Sequence, residues 1–276
     1  MKNTTEHSAV DATRQRDRDT LVGYLSGDGI ELGACQSPMD LSGNPRVKRV
    51  RYVDQHPRDA ILRLFPELGQ EASSVVETDV LCNIGEGLTP FKDGSVDFVI
   101  SCHVIEHLPD PIFFIRECWR VLKPGGHFFL GAPDKYYLPD ARRPATPLEH
   151  LLDDYSRKVR YVDDSHIEEF LRTWEPPIEI PRDPAERKAF FDSQRNRSIH
   201  VHAWTTESFG EFLAYNAEHI SPFLLVDAAG ANLTAKCEML FVLEKTDQAH
   251  LQPADFRRKL HQLVKSNFDS QGNRIE

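Results

Sequence analysis

Residues 97–134 form one uninterrupted run that predicts a strand, a turn, a helix and a second strand, in that order. The apolar stretch 98–100 has polar residues on both sides, as expected of a short buried strand. Apolar side chains then recur at three- or four-residue steps up to Leu122, which predicts a helix that ends at Pro124-Gly125-Gly126. A second strand follows at 127–130. The run therefore predicts a parallel unit, and open sheets of such units bind ligands at the carboxyl ends of their strands.

The rest of the chain continues this alternation of strands and helices. The other predicted strands lie at 29–33, 47–53, 75–80, 223–226 and 239–244. Further helices are predicted at 58–68, 205–215 and 254–264, and Thr205 or Thr206 caps the second of them. This order predicts an α/β fold with a seven-stranded, mostly parallel sheet and helices on both faces.

The pattern breaks after the fifth strand. Residues 135–199 are rich in Pro, Asp and Arg, and they are too many for a plain connection. We expect an inserted, α-rich lid that binds the substrate. The predicted organisation is a polar segment at 1–20, a core at 21–134 and 200–246, the lid at 135–199 and a helical tail at 247–276.

The composition is that of a globular protein, with 40% hydrophobic and 28% charged residues. The formal net charge of −10 gives little support to a nucleic-acid partner. Five cysteines lie without CxxC spacing, which suits a reducing compartment. The N-terminal residues lack the apolar core of a signal peptide, and no apolar run approaches about twenty residues. We therefore expect a cytoplasmic protein with no membrane partner.

Two stretches of the central run resemble class I S-adenosylmethionine (SAM) methyltransferases, in particular the subfamily called type 11. They are VDFVISCHVIEHLPDP at 96–111 and RVLKPGGHFFLGAPD at 120–134. The resemblance implies a Rossmann-like sheet whose last strand is antiparallel, and SAM as the cofactor. Further stretches look like a branch of sugar O-methyltransferases in glycan assembly, including those that cap methylmannose polysaccharides. These are ELGACQSPMDL, RYVDQHPRDAILRLFPEL, PDKYYLPDARRPATPLEHLLDDY and HVHAW.

The resemblance places the cofactor contacts at the ends of the first strands. Glu31-Leu32-Gly33-Ala34 resembles the first motif of the family, although the usual second and third glycines are absent. Gly33 lets the backbone approach a ligand closely. The missing glycines favour SAM over a dinucleotide, because SAM has no pyrophosphate to bind. The full set of expected cofactor residues is Glu31, Gly33, Ala34, Asp54, Gln55, Asp79, Val80, Cys102 and His103.

Two acidic residues, Asp54 and Asp79, are the main predicted contacts of the cofactor. Asp54 follows the second strand about twenty residues after the glycine turn, where a carboxylate binds ribose hydroxyls. The alternative for Asp54 is an acid at a helix N-terminus. Asp79 and Val80, at the end of the predicted third strand, resemble the adenine contact. The alternative for Asp79 is a solvated turn.

The histidine-rich loop after the fourth strand faces the reacting end of the cofactor. In a helix, His103, Glu106 and His107 would share one side. Three roles are open: shaping the cofactor loop, general base catalysis by His107 or His103, and binding a divalent metal such as Mg²⁺ through all three. The metal hypothesis comes from ExxEH motifs in some RNA and quinone O-methyltransferases. Here His103 replaces the first Glu.

The insert offers further histidines. His150 and Asp154 lie one helical turn apart, and His166 precedes Glu169 by three residues. His200 and His202 alternate as in a strand, which predicts that both rings share a face. We select His202 and His150 as further catalytic candidates. Six aromatic side chains are candidates for stacking on sugar rings: Tyr136, Tyr137, Tyr155, Tyr161, Trp174 and Trp204.

These patterns predict a SAM-dependent O-methyltransferase that acts on a hydroxyl of a saccharide or glycan precursor. The alternatives are a methyltransferase for a quinone, phenol or secondary metabolite, and a SAM-binding protein without catalysis. The expected partner is a small-molecule or oligosaccharide acceptor, and a homodimer is allowed for.

Overall fold

The computed structural model describes residues 18–173, 177–197, 199–231 and 238–266. Its strands form one seven-stranded sheet in the order β3-β2-β1-β4-β5-β7-β6. All neighbours are parallel except β7, which is antiparallel to β5 and β6. The strands are β1 Gly27–Leu32, β2 Val47–Asp54, β3 Val80–Leu81, β4 Val96–Cys102, β5 Leu122–Pro133, β6 Phe223–Ala229 and β7 Glu238–Lys245. The predicted α/β fold is confirmed.

The sheet is buried on both faces. Phe98 and Val99 of β4 are both fully buried, yet they belong to two different apolar clusters. Neighbouring residues of a strand point to opposite faces, so each cluster covers one side of the sheet. This explains the continuous apolar run that identifies the strand in the sequence.

Helices cover the sheet. They are α1 Arg58–Leu64, α2 Pro111–Val121, α3 Leu148–Arg157, α4 Asp164–Thr173, α5 Pro184–Asn196, α6 Thr206–His219 and α7 Pro253–Ser266. Asp110 caps α2 by accepting the Phe113 N–H, and Thr205 caps α6 in a capping box with Ser208. Among the described residues, none of these helices combines the length and apolar character needed to cross a bilayer.

Residues 135–199 contain α3, α4 and α5, as expected of an α-rich insert. Leu151 of α3 is part of the main core, whereas α4 and α5 build a smaller core around Phe170 and Phe191. The buried Arg143 guanidinium bonds Asp140 and the carbonyl oxygens of residues 200 and 201, which ties the two ends of the insert together. The role of residues 135–199 as a lid and the limits of the predicted domains remain predictions.

Three predicted elements have different limits. The helix predicted at 58–68 ends at Leu64, because Pro66 excludes the helical conformation from Phe65, which has φ −123° and ψ 66°. The helix after Asp110 ends at Val121, and Pro124-Gly125-Gly126 lies within β5. The strand predicted at 75–80 is reduced to Val80–Leu81. Before it, the Val76 N–H bonds the carbonyl of Cys35 and not β2.

Candidate functional site

A cleft of about 410 Å³ opens at the carboxyl ends of β1, β2 and β4. It contains five of the predicted site residues, Gly33, Asp54, Gln55, His103 and His107. A second cavity of about 550 Å³ adjoins it and is lined by Glu31, Ala34 and Cys102, among others. Gly33, Cys35 and His103 line both. The sheet therefore brings together most of the positions that the sequence predicts for the cofactor.

The turn after β1 requires glycine. Gly33 has φ +64°, a left-handed conformation, and its N–H bonds the carbonyl of Val53. A Cβ at this position would lie 2.7 Å from Cγ2 of Val104, the residue after His103. The two loops that form the floor of the cleft therefore approach each other too closely for any side chain at residue 33.

Glu31 is buried beneath this turn. Its Oε1 accepts the N–H of Met39, while its Oε2 has no hydrogen-bond partner within the described residues. Burial raises the pKa of Glu31 to about 7, because desolvation outweighs the Met39 N–H and the charge of Arg18. A buried acceptor of this kind, next to a cavity, is available to a ligand that carries a donor.

Asp54 is the last residue of β2 and lies in the cleft. One carboxylate oxygen accepts the N–H of His56, which holds the side chain at the strand end. Burial raises the pKa of Asp54, against the opposing effect of that N–H. The position is the one expected for an acid that binds ribose hydroxyls.

Asp79 and Val80 do not occupy the predicted position. Asp79 precedes β3, and its carboxylate accepts the N–H of Tyr52, two residues before the end of β2. The residues that line the cleft beyond β3 are Asn83, Ile84 and Gly85. Asn83 caps a short turn there by accepting the Gly85 N–H. An Asn-x-Gly sequence of this type is a turn signal that could have indicated the strand end.

His103 follows β4 directly and has φ +55°. Its Nε2 lies 3.1 Å from Oε2 of Glu238, and its Nδ1 lies 3.5 Å from Oε1 of Glu106. Burial lowers the pKa of His103, but the two carboxylates outweigh burial and raise it to about 9. His103 is therefore protonated at neutral pH, which removes it as the general base that the sequence left open.

Glu106 is fully buried and forms no hydrogen bond through either carboxylate oxygen within the described residues. His107 Nε2 lies 3.7 Å from its Oε1. Burial raises the pKa of Glu106, but His107, His103 and His200 outweigh this and lower it to about 2. The site thus holds one negative charge among imidazoles.

His107 lies in the cleft with a defined tautomer. Its Nδ1 donates to the carbonyl oxygen of Ile199 at 3.0 Å, because a carbonyl can only accept. The lone pair is then on Nε2, on the side of Glu106. Burial lowers the pKa of His107 even though Glu106 opposes it. The imidazole is neutral at pH 7 and can take up a proton.

His200 completes this cluster, which the sequence did not predict. Its ring lies 5.0 Å from that of His107, and its Nδ1 is hydrogen-bonded to Oδ2 of Asp140. One ligand-type atom from each of Glu106, His107 and His200 falls within 4.8 Å of the others. If a metal binds here, this set replaces the predicted His103, Glu106 and His107. The reason is that protonated His103 has no lone pair to offer.

His150 and His202 lie outside the residues that line the cleft. Residues 199–203 form no strand, so the rings of His200 and His202 do not share a face as predicted. The His202 ring instead lies 5.6 Å from that of His150. The structure gives neither residue a place beside His107.

Of the aromatic candidates, Tyr161 lines the cleft and is 61% exposed. Trp204 is buried in the main core against Phe209 and Phe212, and Tyr155 packs on that core. Trp174 lies outside the described residues. The stacking surface for a sugar is thus reduced to Tyr161, next to Arg160 and Arg195.

The comparisons with known proteins agree with this geometry. Residues 30–130 match the family described as methyltransferase domain. A "Probable S-adenosylmethionine-dependent methyltransferase" of Mycobacterium tuberculosis is 41% identical over 139 residues, which are 49% of this chain and 43% of that protein. A "Ubiquinone biosynthesis O-methyltransferase" of Xanthomonas oryzae is 42% identical over 108 residues, 39% of this chain and 38% of that protein. The chain thus spans less than half the length of these relatives.

A solved structure from Rhodobacter sphaeroides, named for Zn-dependent alcohol dehydrogenases, superposes with a TM-score of 0.50 and 16% identity. The superposition covers 84% of this chain and 90% of that one, and at this identity it shows the fold alone. Residues 30–130 are therefore similar in sequence to methyltransferase domains, and the relatives named for SAM-dependent and ubiquinone methyltransferases share this similarity.

Proposed function

We propose that the protein is an O-methyltransferase that transfers the methyl group of SAM to a hydroxyl of a saccharide or glycan precursor. One observation carries the O-methyl assignment: the neutral Nε2 of His107 in the cleft, 3.7 Å from the buried carboxylate of Glu106. A hydroxyl acceptor must lose a proton, and this pair is suited to receive it.

The residues of the cleft fit SAM. Gly33 and Asp54 would hold its methionine and ribose ends, and Ile84 and Asn83 would border the adenine. The unpartnered Oε2 of Glu31 offers an acceptor to an ammonium group through the adjoining cavity. SAM supplies an electrophilic methyl group bound to a sulfonium, and no further activation of that group is required.

The chain itself supplies the base. Nε2 of His107 accepts the hydroxyl proton, and the Ile199 carbonyl holds the ring in the tautomer that makes this nitrogen the acceptor. Glu106 remains ionised and stabilises the imidazolium that forms, since its carboxylate is fully buried next to the ring. His103, fixed between two carboxylates, shapes the cofactor loop and keeps its own proton.

A metal-assisted reaction is the second candidate, and the cluster of Glu106, His107 and His200 favours it. Nδ1 of His107 is hydrogen-bonded to the Ile199 carbonyl oxygen, and Nδ1 of His200 to the Asp140 carboxylate. Hydrogen bonds of this kind orient histidines that bind a metal through Nε2. An ion such as Mg²⁺ or Zn²⁺ would lower the pKa of the acceptor hydroxyl. The two mechanisms exclude each other, because a ligating Nε2 cannot accept a proton.

The saccharide assignment rests on the wall formed by the insert. Arg160, Tyr161, Arg195 and Asn196 line the cleft beyond His107 and provide donors and one aromatic face. Both arginines are already paired with carboxylates, Arg160 with Asp110 and Arg195 with Asp164 and Asp192. A neutral polyol fits such a wall better than a phosphorylated acceptor does. The relative named for ubiquinone biosynthesis supports the alternative, a phenolic acceptor.

The test is methyl transfer from radiolabelled SAM to a panel of neutral oligosaccharides and a panel of phenols and hydroquinones, with and without EDTA. We expect label in an oligosaccharide, unchanged by EDTA. Label only in phenols would refute the saccharide assignment, and loss of transfer with EDTA would replace the base mechanism by the metal one. Tight binding of SAM without transfer to either panel would indicate a non-catalytic protein.

A further inference from the structure

A second group of histidines lies in the insert, outside the residues that line the cleft. Nε2 of His150 in α3 lies 3.1 Å from Nε2 of His166 in α4 and 3.1 Å from Oδ2 of Asp154. One ligand-type atom from each of these three residues falls within 4.8 Å of the others. Two helices that are separate in sequence therefore direct two imidazoles and a carboxylate toward one point.

Hydrogen bonding within the group leaves buried polar atoms unsatisfied. A single proton can join the two Nε2 atoms, but Oδ2 of Asp154 then has no partner among the described residues, although the residue is buried. The adjacent imidazole of His202 is 1% exposed, and neither of its nitrogens has a partner there either. Such atoms cost free energy unless a ligand satisfies them.

The surroundings of His166 are those of a metal ligand. Its Nδ1 lies 3.1 Å from Oδ1 of Asp163, so Nδ1–H donates a hydrogen bond to the carboxylate and the lone pair of the neutral ring is on Nε2. A carboxylate–histidine–metal relay of this type orients the ring and increases its basicity.

We propose that His150, Asp154 and His166 bind a divalent transition metal ion of the zinc class, which links α3 to α4. Two imidazoles and one carboxylate form a ligand set that Zn²⁺ favours, and in a tetrahedral site its ligand atoms lie about 3.4 Å apart, close to the two separations of 3.1 Å from Nε2 of His150. The half-exposed edge of His150 provides the entry path. Because α3 packs on the main core while α4 belongs to the small core of the insert, the ion links that small core to the part of the insert that packs on the domain.

The experiment uses the full chain, freed of metal and titrated with Zn²⁺, and with Co²⁺ as an optical probe. We expect tetrahedral Co²⁺ absorption bands and a higher melting temperature with Zn²⁺ in the wild type. His166→Ala and Asp154→Asn should weaken Zn²⁺ binding at least about 100-fold, and Asp163→Asn by about 10- to 100-fold, as for other outer-shell partners. Circular dichroism of Asp154→Asn, a near-isosteric change, checks that the fold persists.

Two matched controls locate the ion. His250→Ala removes an exposed histidine that is also paired with an aspartate, Asp247, at 2.7 Å, and should leave binding unchanged. His200→Ala removes a member of the cleft cluster and should also leave these bands intact. Absence of Co²⁺ bands in the wild type, or their loss in His200→Ala with retention in His166→Ala, would overturn the proposal. Neither result depends on whether the protein transfers methyl groups.

Discussion

Nε2 of His103 and Oε2 of Glu238 lie 3.1 Å apart and join the loop after β4 to the first residue of β7. Arg18 contacts the same carboxylate oxygen, with 2.9 Å between Nη2 and Oε2 of Glu238. Residues far apart in the sequence thus form a three-membered ion network beneath the cleft. The network keeps the charge of His103 in place, which supports the proposal that His107 accepts the proton.

This contact predicts a specific dependence of stability on pH. Since the pKa of His103 rises from 6.5 to about 9 on folding, its contribution to stability is complete below pH 6.5 and is lost as the pH rises through 9. Glu238→Gln should reduce the fall in the free energy of unfolding between these pH values, measured by urea denaturation. Glu244→Gln, at the other end of β7, should preserve the wild-type slope. An equally steep fall in Glu238→Gln would show that the pair does not set the pKa of His103.

Glu238 and Glu106, the two carboxylates beside His103, determine the stability at acidic pH. The pKa values of Glu106 and Glu238 are lowered to about 2, so their contributions are present above pH 4.5 and disappear as the pH falls through 2. We therefore expect wild-type stability to decrease on acidification, with a weaker decrease in Glu238→Gln. Thermal unfolding between pH 2 and pH 5 measures this. Parallel curves for the two proteins would contradict it.

His107 should control the pH dependence of methyl transfer. Its pKa is lowered by burial, so kcat/KM should rise with pH through a pKa below the usual 6.5 of histidine and then level off. His107→Gln should spare cofactor binding and decrease kcat by about 10²- to 10⁴-fold, with loss of the acidic limb. Glu106→Gln removes the charge that raises the pKa of His107, and should move that limb to lower pH. Full activity of His107→Gln would exclude it both as base and as metal ligand.

Asp54 should determine the affinity for the cofactor. Asp54→Ala removes charge-assisted hydrogen bonds, each worth about 1.5–3 kcal/mol, so S-adenosylhomocysteine binding should weaken by about 100-fold. Isothermal titration calorimetry gives the dissociation constant. The control is Asp59→Ala, which removes an exposed acid five residues further on in α1. If both variants bound as tightly as the wild type, Asp54 would be only an acid near a helix N-terminus.

The turn after β1 should not accept a side chain. Gly33→Ala forces alanine into a left-handed conformation, at about 1–2 kcal/mol, and places its Cβ 2.7 Å from Val104. We expect a lower melting temperature and weaker cofactor binding. Gly43→Ala has no atom within 4 Å of its new Cβ and should change neither. A Gly33→Ala protein with wild-type values would mean that the loops separate without cost.

Local sequence patterns were sufficient to predict those strands and helices that depend mainly on neighbouring residues. Apolar periodicity identified the strands and the helix of 97–134 and the helix capped by Thr205. The predicted strand ends brought Gly33 and Asp54 to one cleft, as in any parallel sheet, and their contact with the cofactor stays a prediction. The third strand was wrong, because pairing with the edge of β2 selects Val80–Leu81 and leaves Asp79 outside the cleft.

The roles of the histidines depended on contacts that no local pattern contains. His103 and His107 are four residues apart, yet Glu106 and, from β7, Glu238 raise the pKa of His103, whereas burial lowers the pKa of His107. The sequence could place both at the cleft, because the loop that follows a parallel strand lies at the carboxyl edge of the sheet. Their charges were decided by tertiary structure, since a pKa depends on burial and on partners brought from 92 and 135 residues away.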